Sequence, residues 1–270
     1  MADWDKLGTS GDVEDRRAMS RGKVLGGGIG GVVLLMGITY LMGGNPLDVL
    51  LQTDPSVFTQ SVTPAEDVTQ FEGKDSYETF ASAVLGSNND YWQKVFAAEG
   101  ESYAAPKLVL FRGQTDSACG GAASAVGPHY CPNDGNIYLD ETFFEELTAR
   151  FGGSGGDVAQ SYVIGHEVGH HVQQLLGLLE SETTNQASIN IELQADCFAG
   201  LWEGSLKDRG VFTPGEIKEA IDVAAAVGDD NIQNRTQGQV QPETWTHGSS
   251  KERVAAFTKG YETGDLAQCL

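Results

Sequence analysis

A long uncharged stretch near the N-terminus stands out in the pattern of hydrophobic and polar positions. Residues 24–42 are mostly apolar and hold no charged side chain over 19 positions, which is close to the length that a helix needs to cross a bilayer. Four basic residues lie within 16–23, whereas the first charges after the stretch are acidic. The positive-inside rule therefore predicts an uncleaved transmembrane anchor over 23–43, with a cytoplasmic N-terminus and an extracytoplasmic remainder.

Two other interpretations of this stretch stay open. A cleaved signal peptide would be followed by a small-x-small cleavage site, and none comes directly after the apolar run. A soluble core helix would carry one polar face, and residues 24–42 carry none. On either side, the polar residues 1–22 predict a disordered leader, and residues 44–70, with three prolines in turn signals, predict a linker.

Residues 71–270 alternate between helical and extended patterns. Strands are predicted over 107–111 and 136–140, with a loop from Cys119 to Pro132 between them. A helix is predicted to end near Ala98, and others to span 141–147, 158–176, 187–206, a segment from Thr213 onward, and 249–260. These patterns predict an α+β fold, a helix-rich domain with a small sheet.

The net charge of −21 belongs to one part of the chain. Residues 1–43 hold five basic and five acidic side chains, so the whole excess lies in 44–270. A surface that acidic repels a phosphate backbone, so nucleic acid is not expected as a partner. The charge either keeps the domain soluble or attracts basic substrates.

The four cysteines predict two disulfides. No C-x-x-C pair of a zinc ribbon is present, and an even number in an exported domain favours disulfides, with three possible connectivities. Cys119 and Cys131 flank a loop rich in Gly, Ala and Ser, and pairing them leaves Cys197 with Cys269. Four buried thiols are the alternative.

The pentad His166-Glu167-Val168-Gly169-His170 carries the main chemical signal. On a helix, residues i and i+4 share a face, so His166 and His170 can hold one zinc ion. Glu167 can then act as general base on a water at an open position of that ion. The alternative to a metal site is a pair of hydrogen-bonded histidines in the core. His171 lies about 100° around the helix from His170 and is expected to pack or to support the ligands.

A third ligand is expected from the next predicted helix. Glu192 and Asp196 are again i, i+4, and apolar neighbours surround them. A buried carboxylate needs a partner, which a zinc site provides. We assign Glu192 as the third ligand and Asp196 as the acceptor for the outer N–H of a ligand histidine. The two roles could be exchanged, or both residues could be solvated helix charges.

These motifs resemble the bacterial family of neutral zinc metallopeptidases, in which a HExxH helix precedes an ExxxD helix. The resemblance covers residues 70–270 and rests on 165–173, 192–200, 127–132 with 138–140, and 246–250 with Arg253. It implies a zincin-like fold and one zinc ion per chain, bound by His166, His170 and Glu192, with Glu167 catalytic.

The sequence therefore predicts a membrane-anchored zinc peptidase whose partners are a peptide or protein substrate and, through residues 24–42, a membrane. A zinc-stabilised binding or scaffold module without catalysis is the alternative, and zinc-dependent hydrolysis of a non-peptide bond is another. His247, with Arg253, is a candidate transition-state stabiliser or else a surface residue of a helix-capping loop. The strand at 137–139 is either an edge that pairs with an extended peptide or a core strand.

Overall fold

The computed structural model describes residues 2–8, 10–17, 75–123, 127–179, 184–213 and 215–270. The described residues belong to one compact unit. The prediction of an α+β fold is confirmed, whereas its zincin-like character stays a prediction. The predicted anchor at 23–43 and linker at 44–70 lie outside the described residues. Among the helices of the described residues, none is both long and apolar enough to span a bilayer.

Seven α-helices make up about half of the described unit. The N-terminal caps follow from local sequence: the Asp75 side chain accepts from the Glu78 amide, and Ser249 with Glu252 forms a capping box. The helices are α1 Ser76–Ala98, α2 Phe143–Glu146 with a following π turn Leu147–Phe151, α3 Asp157–Leu175, α4 Asn185–Gly204, α5 Ile217–Ala226, α6 Asp229–Gln237 and α7 Ser250–Thr263.

Six short strands in the described residues form two sheets. They are β1 Val13–Asp15, β2 Lys107–Leu110, β3 Gln114–Ser117, β4 Gly120–Ala123, β5 His129–Cys131 and β6 Asn136–Leu139. The larger sheet has the order β1-β2-β6-β5, in which β5 runs antiparallel to β6 and the other pairs are parallel. Strands β3 and β4 form a separate hairpin.

The strand order decides one open alternative in favour of a core strand and corrects one prediction. Residues 137–139 lie in β6, which pairs with strands on both sides, so this strand is not an edge. The edge on this side is β5, which falls inside the predicted loop from Cys119 to Pro132. Both β4 and β5 escaped prediction because they are short, and β4 consists of Gly and Ala, which have low strand propensity.

Close helix packing positions the elements that carry the motifs. Helix α4 packs against α3 on one side and α7 on the other. A Cβ atom at Gly169 of α3 would lie 2.9 Å from the Ala195 carbonyl oxygen, and one at Gly260 of α7 would lie 2.0 Å from the Cys197 carbonyl oxygen. Glycine at both places lets the three backbones approach closely, which brings three helices to one site.

The N-terminal segment is part of the domain, so the prediction of a disordered leader is wrong for residues 2–8 and 10–17. Trp4 and Leu7 are buried in the core, and β1 pairs with β2. Several of the charges that suggested disorder are paired within the fold. The buried Arg17 guanidinium forms ion pairs with Asp15, Asp75 and Glu141.

This strand pairing bears on the predicted membrane topology. Strands of one sheet lie on the same side of a membrane, because a bilayer cannot separate hydrogen-bonded neighbours. A single crossing between Arg17 and Asp75 is therefore incompatible with the β1–β2 pairing. The single-pass localisation stays a prediction, and it would require that β1 does not pair with β2.

Both predicted disulfides are confirmed. Cys119 bonds to Cys131 and closes the hairpin loop onto β5. Cys197 bonds to Cys269 and ties the C-terminus to α4. The second bond involves the residue that follows Asp196, so it also holds the part of α4 that carries the predicted carboxylates.

Candidate metal centre

Helix α3 presents the two histidines of the pentad side by side. His166 and His170 lie one turn apart, and their Nε2 atoms are 3.1 Å from each other. Two nitrogens bound to one tetrahedral zinc ion, each at 2.0–2.1 Å, would lie roughly 3.3 Å apart. The spacing of the imidazoles therefore suits a shared ion.

Glu192 of α4 faces this pair. One carboxylate oxygen lies 3.2 Å from His166 Nε2, and the other lies 3.4 Å from His170 Nε2. Donor atoms of the three residues all lie within 4.8 Å of one another. Sequence reasoning had proposed these three ligands, and the structure brings them together.

The outer nitrogens of both imidazoles are engaged by hydrogen-bond acceptors. His166 Nδ1 lies 2.8 Å from Asp196 Oδ1, and His170 Nδ1 lies 2.8 Å from the Gln173 side-chain oxygen. An acceptor at Nδ1 requires the proton there, which leaves the Nε2 lone pair of each neutral ring for a metal. Asp196 thus lies where the sequence had placed it, whereas the role of Gln173, three residues after His170, had not been predicted.

The electrostatics of the three donors fit a bound cation. Burial alone would lower the pKa of His166, but Asp196 and Glu192 raise that pKa to about 10. Burial alone would raise the pKa of Glu192, yet the two histidines hold it well below its usual range. Positive charge is therefore stabilised where the three donors converge. A divalent ion supplies that charge and displaces protons when it binds.

A buried ion pair supports the site from behind. Arg253 of α7 donates from Nε and Nη2 to the two oxygens of Asp196, both at 2.8 Å. The Tyr162 hydroxyl donates to Asp196 Oδ1 at 2.5 Å. A role with His247 on a developing oxyanion was one candidate for Arg253, but its guanidinium pairs with Asp196, which in turn holds His166.

Glu167 lies next to the ligands in a cavity of about 540 Å³. Its side chain is buried, and the cavity is lined by His166, His170 and Glu192 as well. Apolar side chains, among them Phe143 and Val163, form much of the remaining wall. A carboxylate, three metal donors and a mostly apolar cleft thus meet in one place.

Comparison with known proteins agrees with this donor set. The family model described as "Putative neutral zinc metallopeptidase" matches residues 2–270. The chain belongs to this family. The resemblance inferred from the motifs is thereby confirmed, and membership implies zinc as the metal of the site.

Relatives of this chain occur in several bacteria. The Escherichia coli K12 protein described as "Uncharacterized protein YpfJ" is 39% identical over an alignment that covers 98% of this chain and 97% of the relative. Mb2605 of Mycobacterium bovis and Rv2575 of Mycobacterium tuberculosis, also described as uncharacterized, are each 40% identical over 85% of this chain and 83% of theirs. No solved structure matches the chain.

A pair formed by one histidine and one aspartate lies beside the same cavity. His247 lines the same cavity, and its side chain is half exposed. Its Nδ1 atom lies 3.2 Å from Asp229 Oδ1, while Asp229 Oδ2 accepts from the amides of residues 246, 247 and 248. With Nδ1 engaged, Nε2 is the nitrogen available to a substrate. The sequence signalled His247 but not Asp229.

The edge strand β5 forms another wall of the cavity. His129 and Tyr130 of this strand, together with the flanking Pro128 and Pro132, line it. Within the described residues β5 pairs with β6 alone, so the opposite edge of its backbone is free. The protein therefore combines its donor set with an open strand edge.

Proposed function

We propose that this protein is a zinc-dependent peptidase that hydrolyses peptide bonds with Glu167 as general base. The observation that carries the proposal is the convergence of His166, His170 and Glu192 beside the buried Glu167 in one cavity. This arrangement offers three protein ligands and leaves a coordination position open, as catalytic zinc sites do. When bound, zinc would acidify a water and polarise the substrate carbonyl.

The chain's own residues supply the proton transfers and the orientation. Glu167 would accept the proton of the attacking water and deliver it to the leaving amine. Asp196 keeps the Nδ1 proton on His166, so that Nε2 stays directed at the donor cluster. With both ring nitrogens protonated, His247, oriented by Asp229, would donate from Nε2 to the carbonyl oxygen as negative charge develops there.

The free edge of β5 favours a peptide substrate over other hydrolysable compounds. An extended peptide can add to such an edge by main-chain hydrogen bonds, which recognise backbone rather than sequence. Because β5 lines the cavity of the donor set, a peptide paired with it would cross the site. A non-peptide substrate would have no use for this edge.

A membrane attachment through residues 24–42 that keeps residues 2–17 and 75–270 on the same side of the bilayer accompanies the proposal. The uncharged stretch supports it, and the two disulfides support an oxidising compartment for residues 75–270. A zinc-stabilised binding module without catalysis is the competing function. It would share every feature of the donor set, but it would have no use for a buried carboxylate at position 167.

The experiment is hydrolysis of a broad library of unstructured peptides by the purified full-length chain. We expect cleavage that a chelator abolishes and one equivalent of zinc restores. Cleavage that persists in the chelated protein would contradict the metal mechanism. A zinc-loaded protein that binds peptides but cleaves none would favour the binding module.

A further inference from the structure

We propose that His171 and Gln174 are positioning residues that fix the edge strand β5 against the metal-binding helix. They lie on α3 just beyond the metal ligand His170, on the side that meets β5. Through Tyr130 they would set the distance between the substrate backbone and the metal centre. The inference rests on the proposed peptidase function for its kinetic consequences, but not for its structural ones.

Tyr130 is where the helix holds the strand. Its hydroxyl lies 3.0 Å from His171 Nδ1 and 2.6 Å from the Gln174 side-chain oxygen. The Gln174 amide also donates to the Pro132 carbonyl oxygen at 3.0 Å. Helix α3 therefore holds β5 by a side chain within the strand and by the main chain directly after it.

The tautomer of His171 follows from its other contact. Nε2 lies 2.5 Å from the Ala104 carbonyl oxygen, which can only accept, so Nε2 carries the proton. Nδ1 of the neutral ring is then an acceptor. The Tyr130 hydroxyl has one proton and two acceptors within reach, His171 Nδ1 and the Gln174 side-chain oxygen, and it can donate to either of them. The buried imidazole also packs edge-on against the rings of Tyr103 and Tyr130, at 5.6 and 5.4 Å between centroids.

Strand β5 needs such a support. It has three residues and pairs only with β6 within the described part of the chain. Short edge strands open easily, because few hydrogen bonds hold them. The disulfide at Cys131 ties the strand to Cys119, which is itself exposed on the hairpin loop. The contacts of Tyr130 and Pro132 with α3 therefore link β5 to the helix that carries the metal ligands.

This linkage has a consequence for substrate binding. His170, His171 and Gln174 lie within little more than one turn of α3, so one rigid segment holds both a metal ligand and the strand edge. If β5 loosens, an extended substrate loses its alignment while the donor set stays intact. Weaker binding of long substrates, without loss of metal, is the signature of a positioning role.

The test compares Tyr130→Phe and Gln174→Met with the matched control Gln160→Met, which alters the same residue type on the same helix away from β5. Amide hydrogen exchange of the zinc-loaded full chain is the first readout. We expect exchange at residues 129–131 and at their β6 partners to accelerate about tenfold in the first two variants and to stay unchanged in the control. Unchanged exchange in Tyr130→Phe would overturn the proposal.

Kinetics on two substrates is the second readout. For unfolded casein we expect KM to rise about fivefold in Gln174→Met with kcat within twofold, and for a blocked tetrapeptide spanning the main casein cleavage site we expect little change. Zinc affinity should match that of the wild type. Faster exchange with unaltered KM for casein would overturn the positioning role. A wild type that cleaves neither substrate would refute the peptidase function, and hydrogen exchange would then decide the strand support by itself.

Discussion

The buried pair between Asp196 and Arg253 offers a prediction whose size follows from the structure. Asp196 is fully buried, and its two oxygens accept two hydrogen bonds from Arg253 at 2.8 Å. Replacing Arg253 by methionine would leave a buried carboxylate with only His166 and Tyr162 as described partners. Breaking a buried ion pair from one side costs about 3–5 kcal/mol of folding free energy. We expect Arg253→Met to fall in that range, and Asp196→Asn to destabilise by a similar mechanism.

The double variant Asp196→Asn/Arg253→Met separates pairing from packing. It removes both charges and keeps similar volumes, so it should recover at least 2 kcal/mol relative to the sum of the single variants, since neutral replacements of buried pairs are often tolerated. Its zinc affinity should nevertheless fall roughly 10–100-fold, because the group that orients His166 is altered. Urea unfolding of the chelated proteins and competitive zinc titration measure the two quantities.

The pair also sets a pH dependence. Burial alone would raise the pKa of Asp196, but Arg253 and His166 lower it to about 2. A lowered carboxyl pKa contributes stability above its unfolded value, and this contribution is lost as the pH falls from about 4 toward 2. Single-variant costs that add within about 0.5 kcal/mol, or an Arg253→Met cost under about 1 kcal/mol, would refute the account of this pair.

Three further predictions concern other parts of the chain. Burial raises the pKa of Glu203 to about 8, so the free energy of unfolding should fall as the pH rises from about 4.5 to 8. In urea unfolding, Glu203→Gln should flatten that decline. Parallel stability curves for the wild type and the variant would argue against this role of Glu203. His247→Ala should lower kcat by roughly 10²–10³-fold at constant zinc content, and a full rate in that variant would remove His247 from the mechanism. Ser10 lies shortly before β1, and Glu262 lies in α7, on the part of the chain that contains β2. Because β1 and β2 share one sheet, cysteines introduced at these two positions should react alike with an impermeant maleimide on intact cells. Labelling of one position alone would mean that β1 does not pair with β2.

The donor set was predictable from the sequence because its geometry is local. His166 and His170 are one helical turn apart, and any helix of this length places them together. Glu192 and Asp196 were predictable for a second reason, since two carboxylates among apolar neighbours on a helix need buried partners. The two helices had only to meet, and Gly169 at the contact lets them do so.

The supporting residues were harder to predict because their contacts span long stretches of sequence. Arg253 reaches Asp196 across 57 positions, and no local pattern indicates that α7 lies behind α4. The role of Asp229 was not predicted because α6, Asp229–Gln237, is almost entirely polar and has no apolar face to signal a helix. The prediction of a disordered leader was wrong for a related reason, since several of its charges look solvated in the sequence and are paired in the fold.

The most direct test of the central claim measures zinc content and peptide hydrolysis on the same samples of wild type and Glu167→Gln. The account predicts about one zinc ion per chain in both proteins, and hydrolysis at least a thousandfold faster in the wild type, because Glu167 moves protons but does not hold the metal. Equal activity of the two proteins, or equal inertness at full zinc content, would contradict it.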